Sequence, residues 1–204
     1  MRTIGDIMRL APVIPVLVIE DADDSERIAQ ALVAGGLNVL EVTLRTQAAL
    51  EAIARMRRVP GAVVGAGTVL DPAQLDRSLA AGAEFIVSPG LTEPLGRAAI
   101  ASAIPFLPGV ATAADLMRGF DLGLSHFKFF PAETSGGIPA LRALAGPFAA
   151  ARFCPTGGIT QASAPAWLEI EPVLCVGGSW LVPKGPVDPA RIEGLARAAA
   201  ALRR

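Results

Sequence analysis

The chain has 204 residues, 52% hydrophobic and 18% charged, with a formal net charge of −1. That much apolar material can build a large core and lies far from the composition of a disordered chain. The near-neutral charge balance carries no basic surface for nucleic acid.

The first element needs a decision. Arg2 and Arg9 precede the apolar run LAPVIPVLVI, which has the outline of a secretory leader. Pro12 and Pro15 interrupt the run, Asp6 precedes it, and EDADD follows where small residues for cleavage are expected. No run approaches the length of a membrane helix. The expectation is the first strand of a cytoplasmic protein.

Further apolar runs follow in order: VLEVTL from Val39, VVGAGT from Val63, FIVSPG from Phe85 and PFLPGV from Pro105. HFKFFPA from His126, RFCPTGG from Arg152 and VLCVGGSW from Val173 complete a set of eight. Near-continuous apolar strands suit a parallel sheet covered on both faces. Helix-period segments such as DDSERIAQALVAGG and DPAQLDRSLAAGA lie between them. Asp23 or Asp24 and Asp71 are expected caps, and Gly35 and Gly82 expected stops. ALVAGG and SLAAGA echo each other as a weak βα repeat. Eight strands, each followed by a helix, at about 25 residues per unit predict a single (β/α)8 barrel domain over residues 1–204. An open doubly wound sheet is disfavoured because no first strand leads into G-x-G-x-x-G. Cys154 and Cys175 have neither metal-ligand spacing nor disulfide density and are expected as reduced core residues.

Polar residues on these strands carry the chemistry. Only two of the 18 basic residues are lysines, Lys128 and Lys184, and Lys128 sits in the aromatic run SHFKFFPAE. Alternation sends Phe127 and Phe129 outward to the helices and His126, Lys128 and Phe130 inward. On the second strand Glu41, Thr43 and Arg45 share the inward parity, while Leu40, Val42 and Leu44 face out. Thr68 is expected at the end of the third strand, with Ala66 below it. Polar groups from three strands then meet at the C-terminal mouth, where barrel enzymes place their sites. An ion pair that merely fills the interior is the plain alternative. His126, the only histidine, lies nearer the closed end and is expected to be structural. The glycine pairs of CPTGG and CVGGSW fall after the seventh and eighth strands, where phosphates often bind backbone N–H groups.

The stretches ALVAGG, LEVTLRT, VGAGTVL, SPGLTEPL, FKFFPAE, AGPF, RFCPTGGI and GGSWLVP span almost the whole chain. Together they closely resemble the bacterial 2-keto-3-deoxy-6-phosphogluconate aldolases, which also act as 4-hydroxy-2-oxoglutarate aldolases. The resemblance implies a class I aldolase on a (β/α)8 barrel, usually a homotrimer, with no metal and no cofactor. It implies a small-molecule 2-keto acid substrate and no nucleic-acid or membrane partner. It assigns Lys128 as the Schiff-base lysine and Glu41 as the acid/base carboxylate. Arg45 and Thr68 would hold the pyruvate part, and Gly157, Gly158 and Ser179 the phosphate end. Phe130, Thr156 and Gly178 complete the expected substrate-binding set. The stretch PGVATAADL departs from the family and bears on fine substrate preference. Two other readings remain at this point: a non-covalent phosphosugar isomerase or epimerase using Glu41, and a catalytically silent ligand-binding barrel.

Overall fold

A computed structural model describes residues 2–202. A short helix, α1 (Ile4–Arg9), comes before the first strand and was not expected from the sequence. Thr3 and Asp6 close it with a capping box: Asp6 N–H donates to Thr3 Oγ1 at 3.1 Å and Thr3 N–H to Asp6 Oδ2 at 2.8 Å. Strand β1 (Val13–Leu17) follows, then a 3-10 turn (Ala22–Asp24) leading into α2 (Ser25–Ala34). The N-terminal cap here is Asp21, whose carboxylate accepts from Asp23 N–H; neither Asp23 nor Asp24 caps through its side chain. Next come β2 (Val39–Thr43), α3 (Ala49–Met56), β3 (Val63–Gly67) and α4 (Pro72–Ala80). Asp71 caps α4 by accepting from Gln74 N–H at 2.7 Å, with Pro72 in the first turn. They are followed by β4 (Ile86–Val87), α5 (Glu93–Ala101), β5 (Phe106–Leu107), β6 (Gly109–Val110) and α6 (Ala113–Asp121). The remaining elements are β7 (His126–Phe129), α7 (Gly137–Ala145), β8 (Arg152–Pro155), α8 (Ala164–Leu168), β9 (Val176–Gly178) and α9 (Pro189–Ala200).

All strand pairs are parallel. They form a six-stranded sheet in the order β5-β4-β3-β2-β1-β9 and a three-stranded sheet in the order β6-β7-β8. The run expected as the fifth strand is split at Pro108, which has no N–H to give to a ladder. Isolated parallel bridges, Phe153↔Val173 and Thr156↔Gly177, join β8 and its continuation to the β9 region.

Strand alternation sorts the buried side chains into two clusters. The larger holds Leu40, Val42, Val64, Ala66, Phe127, Phe129 and Phe153 from the strands, packed on helix residues such as Leu32, Ile53 and Trp167. The smaller holds Ile14, Val39, Val63, Phe85, Val87, Leu107, Cys154 and Cys175, with Ile7 and Met8 of α1 against them. Side chains at alternate positions thus face a common interior, and α1 closes it near the strand starts. One parity expectation fails. Ala66 belongs to the helix-facing cluster, and the inward residues of β3 are Val63, Gly65 and Gly67.

Candidate active site

Lys128 stands third on the four-residue strand β7, with Phe127 and Phe129 buried on the opposite face. Glu41 stands in the middle of β2 between Leu40 and Val42, which pack on helices. The two inward side chains meet. Lys128 Nζ donates to Glu41 Oε1 at 3.0 Å, and the side chains are only 7% and 4% exposed. Nζ also lies 5.3 Å from the centroid of the Phe130 ring, within range of a cation–π contact. A short, nearly dry contact between an amine and a carboxylate lets a proton pass from one to the other.

Neighbouring glycines make the room for this pair. A Cβ on Gly67 would sit 2.2 Å from Glu41 Oε1, and one on Gly65 would sit 2.5 Å from three atoms of the Phe85 ring. Thr43, also inward by parity, is fully buried and donates to Leu17 O at 2.8 Å, so it braces β2 against β1. Arg45 lies beyond the strand end. It is exposed on a turn, and among the described residues its guanidinium has no carboxylate partner. Alternation stops at Thr43, so the parity argument does not fix where Arg45 points. Thr68 follows β3 with φ of 59°, a left-handed conformation that a β-branched residue rarely adopts. Backbone strain of this kind gathers at ligand sites.

At the neighbouring strand ends, Thr156 is 5% exposed and its hydroxyl donates to Cys154 O at 3.3 Å. Gly157 and Gly158 have φ of 105° and 81°, so this turn needs glycine. The second glycine pair has a different basis. Gly177 and Gly178 are absent from the positive-φ set; a Cβ on Gly177 would meet Thr156 Oγ1 at 2.3 Å, and one on Gly178 the Trp180 ring at 2.2 Å. They are small because side chains cross them. Ser179 is exposed beside them.

His126, at the start of β7, is half-buried; its Nδ1 lies 3.1 Å from Ser125 Oγ, and a Cβ on Gly5 of α1 would press on its ring. Burial, then Arg9 and Arg152, hold its imidazole below the ordinary value of 6.5. Sequence reasoning passed over Ser88, which is 1% exposed and donates to Gly90 O at 2.6 Å. Nothing in SPGL signals that bond. A cavity of about 570 Å³ lies near the strand starts, lined by Ile7, Arg57, Val63 and Glu84 among others, and includes none of the site residues. Among the described residues no group of three or more His, Cys, Asp or Glu is placed to hold a metal ion.

Residues 4–195 match the family model described as KDPG and KHG aldolase. The chain belongs to this aldolase family. It is 53% identical over 197 residues to the KHG/KDPG aldolase of Escherichia coli K12, covering 95% of this chain and 92% of that protein. The 2-keto-3-deoxy-6-phosphogluconate aldolase of Zymomonas mobilis ZM4, solved with 3-phosphoglycerate, is 63% identical. That match has a TM-score of 0.98 and covers 100% of this chain and 98% of the other. The KDPG aldolase of Legionella pneumophila, solved with pyruvate captured as a covalent carbinolamine, is 44% identical with a TM-score of 0.95, over 98% and 99% of the two chains.

Proposed function

We propose that the chain is a class I aldolase. It cleaves 2-keto-3-deoxy-6-phosphogluconate to pyruvate and glyceraldehyde 3-phosphate, and 4-hydroxy-2-oxoglutarate to pyruvate and glyoxylate. The observation that carries this reading is the 3.0 Å contact between Lys128 Nζ and Glu41 Oε1, the only acid and base buried among the described residues. A relative that holds pyruvate as a carbinolamine supports covalent chemistry at an amine.

The chemistry follows from the pair. With its proton passed to Glu41, the Lys128 amine attacks the C2 carbonyl, and the carbonyl oxygen is protonated to give a carbinolamine. Loss of water leaves an iminium, which is an electron sink. Glu41, directly or through a water, removes the C4 hydroxyl proton. The C3–C4 electrons then move toward the iminium nitrogen, the aldehyde leaves, and an enamine remains. Glu41 returns a proton to C3, and hydrolysis of the new iminium frees pyruvate and the amine. Arg45 would grip the substrate carboxylate in a bidentate fork, and Thr68 would assist it, fixing the face of the ketone that meets Nζ. Phe130 and Thr156 would line the pyruvate pocket. Gly157, Gly158, Gly178 and Ser179 would receive the phosphate through backbone N–H groups and a hydroxyl.

The reading extends to architecture. We take the two sheets as one closed (β/α)8 barrel in a single domain over residues 1–204, with β5 and β6 as halves of the fifth strand. The break at Pro108 and the bridges Phe153↔Val173 and Thr156↔Gly177 support it. A cytoplasmic homotrimer without metal completes it, and light scattering would then give three times 21.0 kDa.

Borohydride reduction in the presence of pyruvate tests the reading. A stable adduct on Lys128 is expected, together with cleavage of both 2-keto-4-hydroxy acids. No adduct, with isomerisation of a phosphosugar instead, would favour a non-covalent enzyme. No adduct and no turnover would favour a silent binding barrel.

A further inference from the structure

Glu133, outside the expected site, ties three elements together beside the glycine turn. It follows Phe130 on the segment that continues β7. Ala132 N–H donates to Thr156 O at 2.8 Å and Glu133 N–H to Gly157 O at 3.1 Å, so the pairing of β7 with β8 runs on past both strand ends. The Glu133 side chain then crosses Gly158: a Cβ there would sit 2.7 Å from both Cβ and Cγ of Glu133. Its carboxylate ends on α8, where Trp167 Nε1 donates to Glu133 Oε1 at 3.0 Å. Trp167 is 1% exposed and packs on Phe129 of β7, with ring centroids 6.3 Å apart. The other carboxylate oxygen faces the start of α7, 3.7 Å from where a Cβ on Gly137 would be, and a helix N-terminus favours negative charge.

These contacts make the pair interdependent. An indole N–H can only donate, and a buried donor without a partner is costly. Trp167 otherwise sits among apolar residues. Glu133 is itself exposed, yet a buried indole fixes its far end and Gly158 its stem.

We propose that Glu133 is a positioning residue for the glycine turn. It holds Gly157 and Gly158 in the conformation that receives the phosphate of the larger substrate, and so sets the preference for phosphorylated over unphosphorylated 2-keto-4-hydroxy acids. The proposal rests on the Schiff-base aldolase reading. Glu133 does not touch the reacting carbons; it acts through the turn. Its charge opposes a phosphate, so charge and position make opposite predictions. If only charge mattered, Glu133→Ala and Glu133→Gln would both improve the phosphorylated substrate. If position matters, Glu133→Ala loses it, while Glu133→Gln keeps it, because glutamine retains the stem and an acceptor oxygen.

The experiment measures kcat and KM for both substrates in the wild type, Glu133→Ala, Glu133→Gln and Trp167→Phe. Glu133→Ala is expected to raise KM for 2-keto-3-deoxy-6-phosphogluconate by about 10- to 160-fold, the size of one lost hydrogen bond to a charged group. Turnover of 4-hydroxy-2-oxoglutarate and trapping of pyruvate on Lys128 stay at the wild-type level. Glu133→Gln stays at or above the wild-type substrate ratio. Trp167→Phe, which removes the donor, moves the ratio in the same direction as Glu133→Ala and serves if that variant fails to fold. An unchanged ratio in both Glu133→Ala and Trp167→Phe overturns the proposal, as does equal loss on both substrates. A Glu133→Gln variant as impaired as Glu133→Ala also overturns it. If the wild type neither traps pyruvate nor cleaves either acid, the aldolase reading itself has failed. If it does both and the ratio stays flat, only the role of Glu133 has failed.

Discussion

Gly67→Ala isolates the position of Glu41 from its chemistry. The added methyl would lie 2.2 Å from Glu41 Oε1, 2.6 Å from Cγ and 2.8 Å from Cδ. Gly67 is not among the glycines with positive φ, so alanine meets no backbone strain there. The clash is with a flexible side chain, and the chain should fold. Ordinary contact begins near 3.5 Å, so the carboxylate oxygen must move by roughly 1.3 Å. The Lys128 to Glu41 contact, 3.0 Å in the native protein, would then lengthen or turn out of line. A misplacement of about 1 Å can cost about 10²-fold in rate. The expected outcome is a kcat lower by about that factor on both substrates, because the damaged step is common to them. Pyruvate release coupled to NADH oxidation measures it, and borohydride trapping checks that Lys128 still forms the adduct. Gly65→Ala is the control. Its methyl would meet the buried Phe85 ring at 2.5 Å and not the carboxylate. Overpacking costs about 1–3 kcal/mol, and each kcal/mol lowers Tm by about 2–4 °C in a chain of this size. Its folded fraction should turn over normally. A Gly67→Ala enzyme with wild-type kcat would refute the idea that this gap sets the working position of Glu41.

Lys128→Ala should abolish both trapping and cleavage, while Lys184→Ala, on an exposed segment, should change neither; adduct formation that survives in the first variant sinks the assignment. Glu41→Gln should still form the pyruvate adduct but turn over about 10²–10⁴-fold more slowly, the range for a lost general acid–base group; near-native activity would leave Glu41 a structural partner only. Stability should depend on His126 in mildly acid solution. Its folded-state value lies below 6.5, through burial first and then Arg9 and Arg152, so the unfolded chain takes up the proton first as pH falls. Stability is then level above that pH and declines as pH drops from 6.5 toward the lowered value. Thermal melts between about pH 8 and about pH 5 read this slope, and His126→Gln should flatten it. Asp6, held low by the Thr3 N–H, keeps its contribution until the pH falls below the carboxylate's ordinary 3.8, so the two windows are separate.

The interior pair was legible in the sequence because strands repeat every two residues. Phe127 and Phe129 on one parity, and Leu40 and Val42 on another strand, leave Lys128 and Glu41 no face but the shared one. The same rule misjudged β3. A strand of valine, alanine and glycine has no polar side to set its phase, so Ala66 was assigned inward when Gly65 and Gly67 are. Arg45 and Thr68 lie past their strand ends, where turns replace alternation. Helix α1 lies just before the run that suggested a strand or a leader, and its six residues are too few to show a helical period. The pairing of Glu133 with Trp167 spans 34 residues and depends on how α8 packs, which no local pattern encodes. The glycines of CVGGSW were read by analogy with CPTGG, yet only the latter need positive φ; at Gly177 and Gly178 a Cβ would instead meet Thr156 and Trp180.

The apolar cluster that α1 closes has an engineering consequence. Cys154 is level with Lys128 in the register of β7 and β8 and still belongs to that cluster; Thr156, the next inward residue, is polar. On β2 the change comes one inward position after Val39, at Glu41. Apart from Cys154, whose sulfur lies 3.8 Å from Thr156 Oγ1, foundation and workshop are therefore separate storeys of one building. The lower storey can be rebuilt with other hydrocarbon side chains to harden the protein against heat. The turns above can be varied to admit other aldehydes. A library can be divided at this floor line, with each half screened for its own trait and the winners then joined.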